Sequence, residues 1–183
     1  KLNAPLVSKP NVGFGPLNGA NGAYLSGSFP ALLAGNPSYT VLVAMRSSST
    51  AAAGGILHLG ATSGAAGKAV TLTQKGVFQY GNGKLDFNSL LFPPPGVVTF
   101  RRDNPSKYED GAFFKNGTTV NGSATNGTNV LNIPASGAKE MLLGGTRSTS
   151  GALSGDLQGN VLEVIVFARG LDDWNIRRLE GYL

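Results

Sequence analysis

The chain has 183 residues, a length that suits one domain with a sizeable core, and it contains no cysteine, which excludes disulfides, thiolate metal sites and a cysteine nucleophile. Its formal charge of +5 is spread over scattered cations, with only Arg101-Arg102 and Arg177-Arg178 adjacent and no basic run interleaved with aromatics, so nucleic acid is not an expected partner. No apolar run approaches a membrane span and no basic-then-apolar leader opens the chain, so the piece is expected to be soluble and trimmed from something longer.

With 27 glycines and 10 prolines separating short apolar runs, the pattern is that of many strands joined by turns, hence all-β. Residues 1–19 carry Pro5, Pro10 and Pro16 and predict an irregular lead-in or edge strand; 20–183 form the domain proper. Turn signals at Asn18-Gly19 and Asn21-Gly22 precede a strand starting near Ala23-Tyr24-Leu25, and 28–37 is a loop pinned by Phe29, Leu32 and Leu33. The run 39–46 is β-branched, aromatic and apolar on both faces, which predicts a central strand. Strands follow at 56–60 and 69–73, then a hairpin of 76–80 and 84–87 around Asn82-Gly83. Pro93-Pro94-Pro95 is an extended connector into a strand at 97–102, and 111–115 pairs with 118–120 across Asn116-Gly117. The small, polar stretch 116–133 reads as a protruding arm suited to self-association.

Short and long strands at 141–143 and 161–168 lead to a terminal helix. Asp172 is its N-cap, Leu171 and Ile176 its staple, and Ile176, Leu179 and Leu183 its apolar stripe, with Arg177 and Arg178 facing outward. The helix is expected to close an edge of the sandwich. Tyr24, Tyr39 and Tyr182 are assigned to the core or its boundary, and Trp174 reads as a packing residue, with an exposed interaction handle as the alternative.

The segment Met141-Leu142-Leu143-Gly144-Gly145 followed by Glu163-Val164-Ile165-Val166-Phe167-Ala168-Arg169-Gly170-Leu171, with Val98-Thr99-Phe100-Arg101-Arg102-Asp103 leading to Ala112-Phe113-Phe114-Lys115-Asn116-Gly117, resembles the concanavalin A-like sandwiches, in particular the laminin G-like branch. The likeness spans most of 20–183; the aromatic Trp-His segment of relatives is replaced by Pro93-Pro94-Pro95-Gly96. It implies a two-sheet antiparallel jelly roll. It leaves the ligand open, since this fold carries lectins, protein-binding modules, adhesins and glucanases.

Glucanases of this superfamily take their acid pair from a Glu-x-Asp-x-Glu strand, and no Glu-x-Asp occurs here. Glu163 stands alone among apolar neighbours, as an outer-face residue or loop-amide acceptor. His58 is the single histidine; it alternates with Leu57 and Leu59 and reads as a solvated or hydrogen-bonded strand residue, so no catalytic residue is nominated. Sandwich lectins stack an aromatic ring on a sugar and hold its hydroxyls with Asn, Asp and Arg on rim loops, which nominates Tyr80, Asn82, Asp103, Tyr108, Asp110 and Arg147. Asp103 and Asp110 are either ligands of a shared calcium ion, which laminin G-like relatives often carry, or turn-capping residues. Asn116, Asn121 and Asn126 each begin an Asn-Gly-Ser/Thr triplet, which serves N-glycosylation or simply a tight turn.

The expected function is a non-enzymatic recognition or adhesion module outside the cell, on a cell or virion surface, binding a glycan or a cell-surface receptor. The alternatives are a structural or protein-binding domain of an appendage or fibre and, behind it, a remote polysaccharide hydrolase.

Overall fold

The computed structural model describes residues 12–14, 24–47, 54–64, 68–74, 76–79, 84–86, 96–103, 111–120, 123–125, 131–148, 150–154, 157 and 159–183. The turn signals at Asn18-Gly19, Asn21-Gly22 and Asn82-Gly83, the connector Pro93-Pro94-Pro95, and Tyr80, Tyr108, Asp110, Asn121 and Asn126 lie outside the described residues.

Two antiparallel sheets share one core. The six-stranded sheet runs in the order β1 (Val12–Phe14), β15 (Gly159–Phe167), β3 (Tyr39–Ser47), β8 (Gly96–Arg102), β9 (Ala112–Lys115) and β10 (Thr118–Val120). The seven-stranded sheet runs β11 (Ser123–Thr125), β7 (Lys84–Asp86), β6 (Gly76–Gln79), β5 (Ala69–Thr73), β4 (Gly55–Ala61), β12 (Lys139–Leu143) and β2 (Leu25–Ser28). A small hairpin of β13 (Thr146–Arg147) and β14 (Leu153–Ser154) stands beside β4, and helix α1 (Asp173–Tyr182) ends the chain.

Strand alternation builds the core. In β3, Tyr39, Val41, Val43 and Met45 point at the seven-stranded sheet, where Leu57, Leu59, Val70 and Leu72 meet them. Phe100 lies between Tyr39 and Phe113, with ring centroids at 5.7 Å and 5.2 Å and both pairs tilted at 49°. Thr40, Leu42 and Ala44 point the other way and are buried as well, so β3 is central and covered on both sides, as its composition predicts.

Three features depart from the sequence expectations. The described parts of 116–133 belong to the sheets and the core rather than to a protruding arm. Thr118–Val120 closes one edge of the six-stranded sheet, Ser123–Thr125 closes one edge of the other, and Leu131 and Ile133 are buried in the shared core. Small polar residues are compatible with edge strands, which have one open side. Next, β15 carries a bulge between Val161 and Glu163. Val161 and Val164 are three apart, so strict alternation would turn one of them out of the core; the extra residue, Leu162, restores the inward direction of Val164 and is itself 42% exposed. Lastly, α1 lies across the outer face of the six-stranded sheet rather than closing its edge, because that face, with Phe114, Ala112 and Phe167, is apolar and needs a cover.

Candidate functional site

Each nominated side chain that is described has an assignable environment. Arg147, on β13, donates from Nε to Glu140 Oε1 at 2.5 Å, from Nη2 to Glu140 Oε2 at 3.3 Å and from Nη1 to the Gly151 carbonyl at 2.9 Å. This fork clamps the 146–154 hairpin onto β12. Beneath it, on the face of β4 turned away from the core, His58 is fully buried. Its Nε2 lies 3.2 Å from the Ala61 carbonyl, which only accepts, so Nε2 carries the proton and Nδ1 accepts from the Thr71 hydroxyl at 3.1 Å. Burial holds its pKa below the usual histidine value; the Ala61 hydrogen bond and the Glu140 carboxylate oppose this, and Arg147 adds to it. The histidine is hydrogen-bonded and buried, not solvated.

Asp103 ends β8 and is exposed; its carboxylate lies 3.5 Å from Arg101 Nε and packs against Gly170. Asp110, its partner in the calcium expectation, lies outside the described residues, and among those described no three His, Cys, Asp or Glu side chains come together as a metal group. Arg101 also donates to Asp173 Oδ1 at 2.6 Å and to the Leu171 carbonyl at 3.0 Å, and lies over the Phe114 ring. Arg102, its neighbour, is fully buried, donating to Asn36 Oδ1 at 2.6 Å and to the Pro37 carbonyl at 3.1 Å. The adjacent arginines therefore form no cationic patch. Asp103 follows a strand of the six-stranded sheet, and Arg147 lies in the β13–β14 hairpin.

Asn116 has φ +48° and Gly117 φ +78°, the pair of left-handed conformations of a type I′ hairpin turn. The Asn116 carboxamide oxygen accepts from Val97 N–H at 3.0 Å, so the turn accounts for this Asn-Gly pair. Glu163 pairs in register with Ala44 just past the bulge, which turns it to the outer face.

Among the described residues the most exposed aromatic rings are on α1, where the sequence expectations placed packing residues. Asp172 caps the helix, its Oδ1 accepting from Asn175 N–H at 2.8 Å, and Leu171 and Ile176 are buried against Phe114 in the staple arrangement. At 3.6 residues per turn the buried side is Ile176, Leu179 and Glu180, and the opposite arc runs Arg177, Gly181, Trp174, Arg178, Tyr182, all exposed. Trp174 is 63% and Tyr182 70% exposed, against 2% for Tyr39, so the assignment to core or boundary holds for Tyr39 and fails for the helix pair. The Arg178 guanidinium lies 4.4 Å from the Trp174 ring centroid. Spacing of i, i+4 and i+8 was the sequence signal for this row.

Glu180 fastens the helix from below. Its carboxylate accepts from the Thr99 hydroxyl at 2.5 Å and from Gly117 N–H, and burial raises its pKa against both bonds.

No protein-family description and no curated protein matches this sequence. Solved structures do. The chain is similar to the CBM40 of the Ruminococcus gnavus IT-sialidase bound to α2,3-sialyllactose, with 16% identity, TM-score 0.56, and 80% of this chain and 84% of that one covered. Domain 4 of AbnA, a GH43 extracellular arabinanase from Geobacillus stearothermophilus in complex with arabinotriose, matches with 14% identity, TM-score 0.53, and 82% and 69% covered. The NanB sialidase from Streptococcus pneumoniae, as its K499G mutant, matches over 92% of this chain but 27% of its own, with 14% identity and TM-score 0.56. At such identities the likeness establishes the fold: this chain is a β-sandwich similar to carbohydrate-binding modules.

Proposed function

We propose that this chain is a non-catalytic glycan-binding module of the concanavalin A-like type, akin to the laminin G-like branch, working outside the cell or at a cell surface. The observation that carries the reading is the fold match over 80% of the chain to a carbohydrate-binding module that holds sialyllactose. The match to a second module, in an extracellular enzyme and holding arabinotriose, supports both the ligand class and the location.

The disposition of the acids supports a binding rather than a hydrolytic role. A glycosidase needs two carboxyl groups facing each other across a scissile bond, with room for the sugar between them. Among the described acids, Asp103 and Asp173 flank the Arg101 side chain, Glu140 is held by Arg147, Glu180 lies under the helix and Asp172 caps it. Each of these carboxylates supports the fold.

A glycan array, run with calcium and with a chelator, followed by calorimetry on the hits, tests the proposal. Saturable binding without release of reducing sugar is expected. Silence under both conditions, or turnover of any bound polymer, would overturn it.

A further inference from the structure

The solvent arc of α1 has the chemistry of a saccharide subsite. It holds two aromatic rings, two guanidinium groups and a glycine, and no carboxylate. The acids of this helix lie elsewhere: Asp173 points to Arg101 and Glu180 is buried against Thr99. A ring 63% exposed with a guanidinium at 4.4 Å over one face draws that exposure from its edge and its other face. Arg178 thus steadies the indole and sets a cation beside it. Gly181 lies on the same arc about two turns further along the axis, and a Cβ there would meet nothing within 4 Å, so the surface beside Tyr182 is open at that position. Tyr182 stands about 12 Å further along the axis, a span that a short oligosaccharide bridges.

We propose that Trp174, Arg178 and Tyr182 form a binding surface for an acidic oligosaccharide, a sugar ring stacking on Trp174 and its carboxylate or sulfate pairing with Arg178 and Arg177. This rests on the reading of the chain as a glycan-binding module, and adds to it both a place and a ligand class. The charge of the arc selects the ligand: a purely cationic rim beside apolar ring faces complements a molecule with an apolar pyranose face and an anionic substituent. Nucleic acid, also anionic and stackable, is disfavoured because the cationic row is two arginines long and the neighbouring Arg101 is engaged with Asp103 and Asp173.

Trp174 is the single tryptophan of the chain, so its emission reports on this surface alone. Titration with trigalacturonate and with sialyllactose is expected to shift the emission saturably, and maltotriose and lactose are expected not to. Arg178→Gln should weaken both acidic ligands about tenfold or more while leaving the unfolding midpoint unchanged, and Trp174→Phe should retain calorimetric binding that Trp174→Ala loses. Glycan binding by calorimetry with unchanged emission and an indifferent Trp174→Ala would overturn this surface and leave the module reading intact. Equal response to neutral sugars, insensitive to Arg178→Gln, would overturn the acidic class. A short oligothymidylate binding as tightly as the acidic sugars would reassign the surface to nucleic acid, and absence of any glycan binding would overturn both readings.

Discussion

Glu180 and Thr99, 81 positions apart, share a 2.5 Å hydrogen bond that pins the terminal helix to the middle of the six-stranded sheet. The same carboxylate accepts from Gly117 N–H, so one side chain ties α1 to β8 and to the β9–β10 hairpin turn.

Because burial raises the Glu180 pKa above its ordinary value of 4.5, the folded state holds its proton more tightly than the unfolded chain. The stabilisation linked to that proton is complete below 4.5 and is lost as pH rises through the folded value. Urea unfolding of the wild type and Glu180→Gln across acidic to neutral pH should show the wild type losing stability relative to the variant over that window. Glu180→Ala leaves the Thr99 hydroxyl and the Gly117 amide without this acceptor, at a cost of about 1–3 kcal/mol.

His58 titrates in the opposite sense. Its folded pKa is depressed by burial below 6.5, so the unfolded chain takes up the proton first and stability falls as pH drops from 6.5 through the folded value. His58→Gln should abolish this component. The imidazole resonances of the single histidine should titrate below 6.5 in the folded protein by NMR; an ordinary midpoint would refute its burial.

Two glycines predict opposite outcomes for the same substitution. Gly60 has φ +137°, and a Cβ there would lie 2.6 Å from both the Lys68 carbonyl oxygen and the Ala69 Cα, so Gly60→Ala should destabilise by several kcal/mol or prevent folding. Gly181→Ala meets no neighbour and removes a weak helix former, so it should stabilise by about 0.5–1 kcal/mol. Thermal unfolding of the two variants checks both.

Asp172→Ala removes the acceptor of the Asn175 amide and should lower the unfolding temperature by a few degrees. The capping hydrogen bond also holds the Asp172 pKa below its usual value, so the difference from the wild type should be present at neutral pH and shrink as pH falls through that depressed value.

Local signals carried most of the strand pattern. Asn116-Gly117 fixes a type I′ turn because few other pairs take two consecutive left-handed conformations, and Asp172 with Leu171 and Ile176 fixes the helix start through contacts within one turn. The bulge at Leu162 was not legible, since alternation is counted along one strand while register depends on Met45 and Ala44 of its partner. Trp174 was misassigned although the stripe of Ile176, Leu179 and Leu183 already turns it outward on the helix wheel; the apolar bulk of the indole was weighed above its position.

The sequence by itself determined the all-β class, the hairpin turns and the capped terminal helix, because each follows from backbone preferences and side-chain periodicity over a few residues. Only the tertiary structure decided that 118–125 closes two sheet edges, that Arg147 is spent on Glu140, and that α1 covers Phe114 and leaves Trp174 in water. Those outcomes depend on which apolar face remains uncovered once the sheets have paired, a property of residues far apart in the chain.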